Sequence, residues 1–141
     1  MYILDTDHIS LIQRNGAEGK LIAKKLFALN TERLFVTVIT YEEQIRGRLD
    51  VISRAKTVER RTAAYTGLHQ LWSDYRSLTV IPFDSDASIL YDSLKRRYPR
   101  LGKMDLRIAA TTIQYEATLL TRNTSDFEKI DELDIADWSY L

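Results

Sequence analysis

Apolar positions along this chain follow two periods, and their alternation predicts the elements before any single residue suggests a chemistry. Compact apolar or β-branched runs at Tyr2–Leu4, Leu34–Val38, Leu78–Pro82 and Thr118–Thr121 have the length and composition of buried strands. Between them the apolar residues recur three and four apart. A first helix covers His8–Arg14, capped within Asp5–Asp7 and stopped near Asn15-Gly16. Residues 17–29 place Leu21, Ile22, Lys25, Leu26 and Leu29 at helical spacing, with Asn30-Thr31 as the stop. The next helix runs from Thr40 to about Leu49, with Ile45, Leu49 and Ile52 on one face, and a long charged helix from Ser53 to Tyr75 turns Val58, Tyr65, Leu68 and Trp72 inward. Asp84 or Ser85 caps a helix through about Arg97 with Ile89, Leu90 and Leu94 inward. After a turn at Pro99 and Gly102, another helix spans about Met104 to Tyr115. A short helix at Ser125–Ile130 and an edge strand at Ile135 complete the order. Strands alternating with helices imply an α/β fold whose mostly parallel sheet is covered on both faces. With no internal repeat, low-complexity tract or linker, residues 1–141 read as one domain.

Composition narrows the chemistry. The chain is 45% hydrophobic and 28% charged, as in an ordinary globular protein. No stretch approaches the roughly 20 apolar residues that span a bilayer, and the N-terminus lacks the basic region and apolar run of a signal peptide, so the expected location is the cytoplasm. With no Cys there is neither a disulfide framework nor a thiolate metal site or Cys nucleophile. With only His8 and His69 there is no multi-histidine centre. Formal net charge is zero, yet the charges are segregated. Arg46, Arg48, Arg54, Lys56, Arg60 and Arg61 form one basic segment, and Lys95, Arg96, Arg97, Arg100, Lys103 and Arg107 a second. Asp126, Glu128, Asp131, Glu132, Asp134 and Asp137 make the C-terminal stretch acidic. Such segregation serves equally as solvated helix faces or as a local positive surface.

Four acids stand at similar punctuation. Asp5 follows the first strand in Leu4-Asp5-Thr6-Asp7, and Glu43 lies in the first turn of the helix after the second strand. Asp105 opens the helix in KMDLRIAATT, and Asp126 sits in the turn after the fourth strand in LLTRNTSDF. In a parallel sheet the residues after each strand converge on one edge, where ligands gather. Carboxylates crowded there raise one another's pKa unless cations neutralise them, and oxygen donors without Cys select Mg²⁺ or Mn²⁺. Each acid also has a purely structural reading. Asp5 and Asp7 suit helix N-caps; Thr40-x-x-Glu43 has capping-box spacing; Asp105 suits a helix dipole; Asp126 suits a cap for Phe127 and Ile130. Helical phase, measured against Ile45/Leu49/Ile52, favours Glu42 over Glu43 as the inward acid.

The segments ILDTDHIS, VTVITYEEQIRG, MDLRIAATT and LLTRNTSDF, in this order and covering nearly the whole chain, resemble PIN-domain ribonucleases, and among them VapC-type toxins of toxin–antitoxin pairs. The resemblance implies a three-layer α/β/α domain with a four- to five-stranded, mostly parallel sheet. It implies a Mg²⁺- or Mn²⁺-dependent endoribonuclease acting on structured RNA, possibly transfer RNA, with a small antitoxin partner and a tendency to dimerise. Thr40 and Gly47 match the family's Thr-x-x-Glu-x-x-x-Gly segment, which selects Glu43. The implied catalytic set is Asp5, Glu43, Asp105 and Asp126, with Asp5 and Asp105 holding the principal metal. Thr6, Asp7, Thr121 and Asn123 would orient ligands or water around it; some relatives carry the fourth acid where Asn123 stands. The basic segments would contact phosphates, and Tyr65, Trp72 and Tyr91 serve either the core or an interface. Two departures stand out: Asp7 replaces the more usual Asn, and Gln44 stands where Leu is common. Two other readings compete. One is a haloacid-dehalogenase-like phosphatase with Asp5 as nucleophile and Asp7 as acid. The other is a catalytically silent PIN domain that binds RNA or protein.

Overall fold

A computed structural model describes residues 1–29 and 33–140. The order is β1 (Tyr2–Leu4), α1 (Thr6–Arg14), α2 (Ala17–Ala28), β2 (Leu34–Thr37), α3 (Val38–Arg54), α4 (Val58–Tyr75), β3 (Leu78–Ile81), α5 (Ser85–Arg97), α6 (Lys103–Gln114), β4 (Thr118–Leu120), α7 (Thr124–Phe127) and β5 (Asp134–Ala136). The five strands form one sheet in the order β3-β2-β1-β4-β5, and every pairing is parallel. The edge strand expected at Ile135 is β5, paired with β4 through Leu119 and Ile135. The stop expected at Asn30-Thr31 falls outside the described residues.

Period-two alternation divides the core between the two faces of the sheet. Leu4, Val36 and Leu120 pack against Ile9, Leu11, Ile22 and Leu26 of α1 and α2. Their neighbours Ile3 and Leu119 face Ile39, Leu94, Leu106, Ile108, Ala109 and Ala110 of α3, α5 and α6. The result is a three-layer α/β/α arrangement.

Several boundaries differ from the sequence expectation, and the differences have causes. Helix α3 begins at Val38, not Thr40, because Thr37 is its N-cap and accepts a hydrogen bond from the Thr40 N–H at 3.1 Å. Thr40-x-x-Glu43 is therefore not a capping box. The long charged helix starts later than expected and the one before it ends later: Ser53 and Arg54 end α3, and Thr57 caps α4 by accepting from the Arg60 N–H at 3.1 Å. On α4 the buried residues are Ala64 and Leu71, while Val58, Tyr65 and Trp72 are exposed. Ile89 and Leu49 are likewise exposed. Half-buried Tyr91 packs on the core beside Phe83, and the Arg107 guanidinium lies over its ring.

The α1–α2 hairpin positions the polar face of α1. Asn15 adopts the left-handed conformation (φ 55°) that Asn tolerates at a helix end, and its N–H bonds the Ile12 carbonyl. Gly19 then lets α2 lie directly on α1. A Cβ there would overlap the Leu11 carbonyl group and sit 3.0 Å from Ile12 Cα. Gly19→Ala is therefore expected to destabilise the fold by about 2–3 kcal/mol, despite the ~1 kcal/mol helix-propensity gain of Ala over Gly. Urea denaturation measures this; an unchanged or raised midpoint would rule out the close-approach account.

Candidate active site

The chain order around β1 creates the site. From β1 the sheet grows outward through β2 to β3, then resumes on the other side at β4, so the carboxyl ends of β1 and β4 flank a topological switch point. Asp5 follows β1 and Thr121 follows β4. The Asp5 N–H bonds the Leu120 carbonyl at 2.9 Å, and the Thr121 N–H bonds Ala136 at 2.9 Å.

Asp5 caps α1, as one structural reading expected, but its carboxylate does more. Oδ1 accepts from the Thr6 N–H at 2.9 Å, and Oδ2 accepts from the Thr121 hydroxyl at 2.8 Å. The side chain is nearly inaccessible. Burial is the main force on its proton affinity, joined by the negative charges of Asp7 and Asp105 and opposed by the Thr121 and Thr6 hydrogen bonds. The net effect pushes its pKa up to about 7. Asp105, in the first turn of α6, is raised as well, by burial first and then by Glu43, Asp126 and Asp7. The two groups thus report a pool of negative charge that the protein itself does not neutralise.

Glu43, in the second turn of α3, accepts the Thr6 hydroxyl at 2.8 Å; that oxygen also lies 3.1 Å from Thr40 Oγ1. Glu42 instead pairs with Arg46 at 2.6 Å, one turn along the same helix. The helical-phase preference for Glu42 fails because its reference stripe includes the exposed Leu49, whereas Ile39 and Thr40 are the buried positions of α3.

Asp5, Thr6, Asp7, Glu43, Asp105 and Asn123 line one cavity of about 360 Å³, together with Arg14 and Arg122. Asp126 does not line it and connects to it through Asn123. The Asn123 amide reaches Asp105 Oδ2 at 3.4 Å and Asp126 Oδ2 at 3.3 Å, and Lys129 lies 3.8 Å from Asp126. Asp126 is not the cap of α7; Asn123 occupies that position. Asp7 accepts from the Arg122 N–H at 2.9 Å and contacts His8 Nδ1 at 2.8 Å. Because His8 Nε2 accepts from the Trp138 N–H at 3.1 Å, the proton on that ring belongs to Nδ1 and is donated to Asp7.

Among the described residues, no three acids or histidines converge tightly enough to ligate one ion unaided. The donor set nevertheless fits Mg²⁺ or Mn²⁺, since Mg²⁺ keeps several waters and takes only one or two carboxylates. Asp5 and Asp105, both raised chiefly by burial, are the two acids whose ionised form a cation would stabilise.

Arg14 and Arg122 were not anticipated. Arg122 immediately follows β4, and Thr6, Ser10, Gln13 and Arg14 share a polar stripe on α1, so position and spacing were the available signals. The second basic segment is largely occupied within the fold: Lys95 donates to the Leu101 carbonyl at 2.9 Å, Arg97 pairs with Glu132, and Arg107 stacks on Tyr91. In the first segment, Arg46 and Arg54 pair with Glu42 and Asp50.

Comparison with known proteins follows this geometry. The family model described as PIN domain matches residues 2–133. Ribonuclease VapC of Rickettsia bellii is 31% identical over 137 residues, covering 94% of this chain and 92% of that protein. The tRNA(fMet)-specific endonuclease VapC of Salmonella typhimurium is 27% identical, with 97% of each chain covered. Among solved structures, a DNA-bound VapBC complex from Salmonella typhimurium superposes with a TM-score of 0.75 at 25% identity, covering 97% of each chain.

Proposed function

Since the chain belongs to the PIN-domain family, we propose that it is an endoribonuclease toxin of the VapC type that cleaves RNA with Mg²⁺ or Mn²⁺ and is neutralised by a cognate antitoxin. Membership sets aside the phosphatase reading of Asp5 and Asp7. The observation that carries the proposal is the shared cavity of Asp5, Glu43 and Asp105, with Asp5 pushed up to about 7.

Asp5 and Asp105 would hold the cation, and Glu43 and Asp126 would complete the acidic surround of the site. When bound, the cation supplies an activated water and neutralises charge developing on the phosphate and leaving oxygen. Thr121 fixes the Asp5 carboxylate and Thr6 fixes Glu43, so neither acid must reorganise as the phosphate arrives. Asn123 holds Asp105 and Asp126 in register. Arg14 and Arg122 offer positive charge to the phosphates on either side, which positions RNA without reading its sequence. In-line attack breaks the bond from phosphorus to the 3′ oxygen and leaves a 3′-hydroxyl and a 5′-phosphate.

The substrate class is structured RNA, with transfer RNA foremost, a reading supported by likeness to one tRNA(fMet)-specific endonuclease. The antitoxin partner is supported by likeness to VapBC complexes. Exposed Tyr65 and Trp72 on α4 supply apolar area for a second copy of the chain. Among the described residues, no helix is long and apolar enough to cross a membrane.

Purified protein is expected to cleave RNA with Mg²⁺ and to lose cleavage in excess chelator. Asp105→Asn is expected to lower the rate by about 10³-fold or more. Persistence in chelator and in Asp105→Asn would sink the metal-site reading. RNA binding without cleavage by the unmutated protein would favour the silent module instead.

A further inference from the structure

Beside the acid cavity lies a second one, also of about 360 Å³, and the two share Thr6, Ser10, Arg14 and Glu43 as a common wall. The remaining wall comes from α3 and α4, and its polar groups are already ordered. Tyr75 donates its hydroxyl to Gln44 Oε1 at 2.6 Å, and Gln44 Nε2 donates to Gln13 Oε1 at 2.8 Å and Ser10 Oγ at 3.2 Å. On α4, Gln70 donates to Asp74 Oδ1 at 2.9 Å. Arg48 lines the same cavity, with its Nε buried toward Gly67 of α4.

We infer that this second cavity receives an unpaired base of the RNA next to the cleaved phosphate, and that it favours a base carrying an exocyclic amine over uracil. The inference rests on the endoribonuclease reading and adds to it a sequence preference and the residues that impose it. Adjacency is the first argument. A cavity sharing Glu43 and Thr6 with the acid site lies one nucleotide away from it, and Arg14 on the common wall faces the intervening phosphate. Hydrogen-bond inventory is the second. Gln44 is satisfied on both ends of its amide, so it acts as a positioning residue that fixes Ser10 and Gln13. The groups left for a ligand are the second oxygen of Asp74 and the Gln70 carbonyl as acceptors, with the Ser10 hydroxyl as donor. Carboxylate and amide oxygens accept from the amines of cytosine, adenine and guanine. Uracil offers a single N3–H between two carbonyl oxygens, so it can satisfy only one of the two acceptors and turns a carbonyl toward the other. Open space is the third. A Cβ at Gly47 would meet nothing within 4 Å, so glycine there leaves the cavity free to be filled. The departure at Gln44 is explained at once, because Leu could neither accept from Tyr75 nor orient Ser10 and Gln13.

The test uses the full chain with Mg²⁺ and a pool of RNA stem-loops randomised in the unpaired loop, with both product ends sequenced. At one position within a nucleotide or two of the cut, uracil is expected to be disfavoured about tenfold. Asp74→Asn, which replaces one acceptor by a donor, and Gly47→Leu, which fills the cavity, are expected to bring that position to within about twofold of even. Both should raise KM for amine-bearing substrates more than they lower kcat. Gly47 has no positive φ, so its substitution leaves the backbone unstrained, and an undiminished melting temperature verifies folding. An even profile in the unmutated protein, or uracil bias retained in both variants, overturns the base site while cleavage itself upholds the nuclease reading. Absence of all cleavage by the unmutated protein overturns both.

Discussion

Asp5→Asn is expected to abolish RNA cleavage and, in the same molecule, to make the metal-free protein more stable. Both effects come from one carboxylate. Asn keeps the capping geometry: its Oδ1 still accepts from the Thr6 N–H, and its Nδ2 donates to the Thr121 hydroxyl oxygen once that hydroxyl rotates, so the fold around β1 and α1 survives. What disappears is a charge that burial and Asp7 oppose. The sign follows from where the proton resides. Between the ordinary value of 3.8 and about 7, the unfolded chain has released the Asp5 proton while the folded chain retains it. Stability contributed by this group therefore falls as pH rises through that window and stays low above it. A displacement from 3.8 to about 7 corresponds to roughly 4 kcal/mol. At pH 8 without metal, Asp5→Asn should accordingly melt on the order of 10 °C higher, and at pH 4 the gap should close. Cleavage should drop by about 10³-fold or more. A variant that melts at or below the unmutated protein at pH 8 would refute the account of Asp5 as an uncompensated buried charge.

The fold was legible because its two periods are unambiguous where they matter. Four short apolar runs are too brief for helices, and the residues between them recur at helical spacing. Boundaries were less legible. Thr37 and Thr40 are both good caps, and only the turn of the chain out of β2 decides that Thr37 is used. Burial on α3, α4 and α5 was read from stripes that include Leu49, Trp72 and Ile89, yet these helices are covered on a narrower face than the stripes suggest. The acids were legible for a different reason. Asp5 stands directly after a strand and Asp105 in a helix first turn, and a parallel sheet sends such positions to one edge. Glu43 was legible only through family resemblance, since its helix begins two residues earlier than capping-box spacing implied. Arg14, Ser10 and Gln13 were not legible as site residues. Nothing in an ordinary amphipathic helix announces that its polar face lines a cavity instead of meeting open solvent. That follows only from the placement of α3 and α4 opposite it.

The second large effect is on the cation itself. Below about pH 7, binding at Asp5 must displace a proton, so affinity for Mg²⁺ or Mn²⁺ should fall about tenfold for each pH unit, and should level off above that value. Asp105 is raised in the same direction, by burial and then by Glu43, Asp126 and Asp7. The cation in turn removes the penalty that Asp5 carries when ionised. At pH 8, saturating Mn²⁺ at 100 times its dissociation constant should stabilise the protein by about 2.7 kcal/mol, and the same excess over the pH 8 constant should do almost nothing at pH 5. Asp105→Asn should weaken the thermal shift, and Asp5→Asn should remove its dependence on pH near neutrality. Calorimetric titration with Mn²⁺ from about pH 5 to about pH 8 reads the slope, and differential scanning of the same samples reads the shift. An affinity that stays level across this range would show that binding does not displace the Asp5 proton, and would move the cation away from the switch point between β1 and β4.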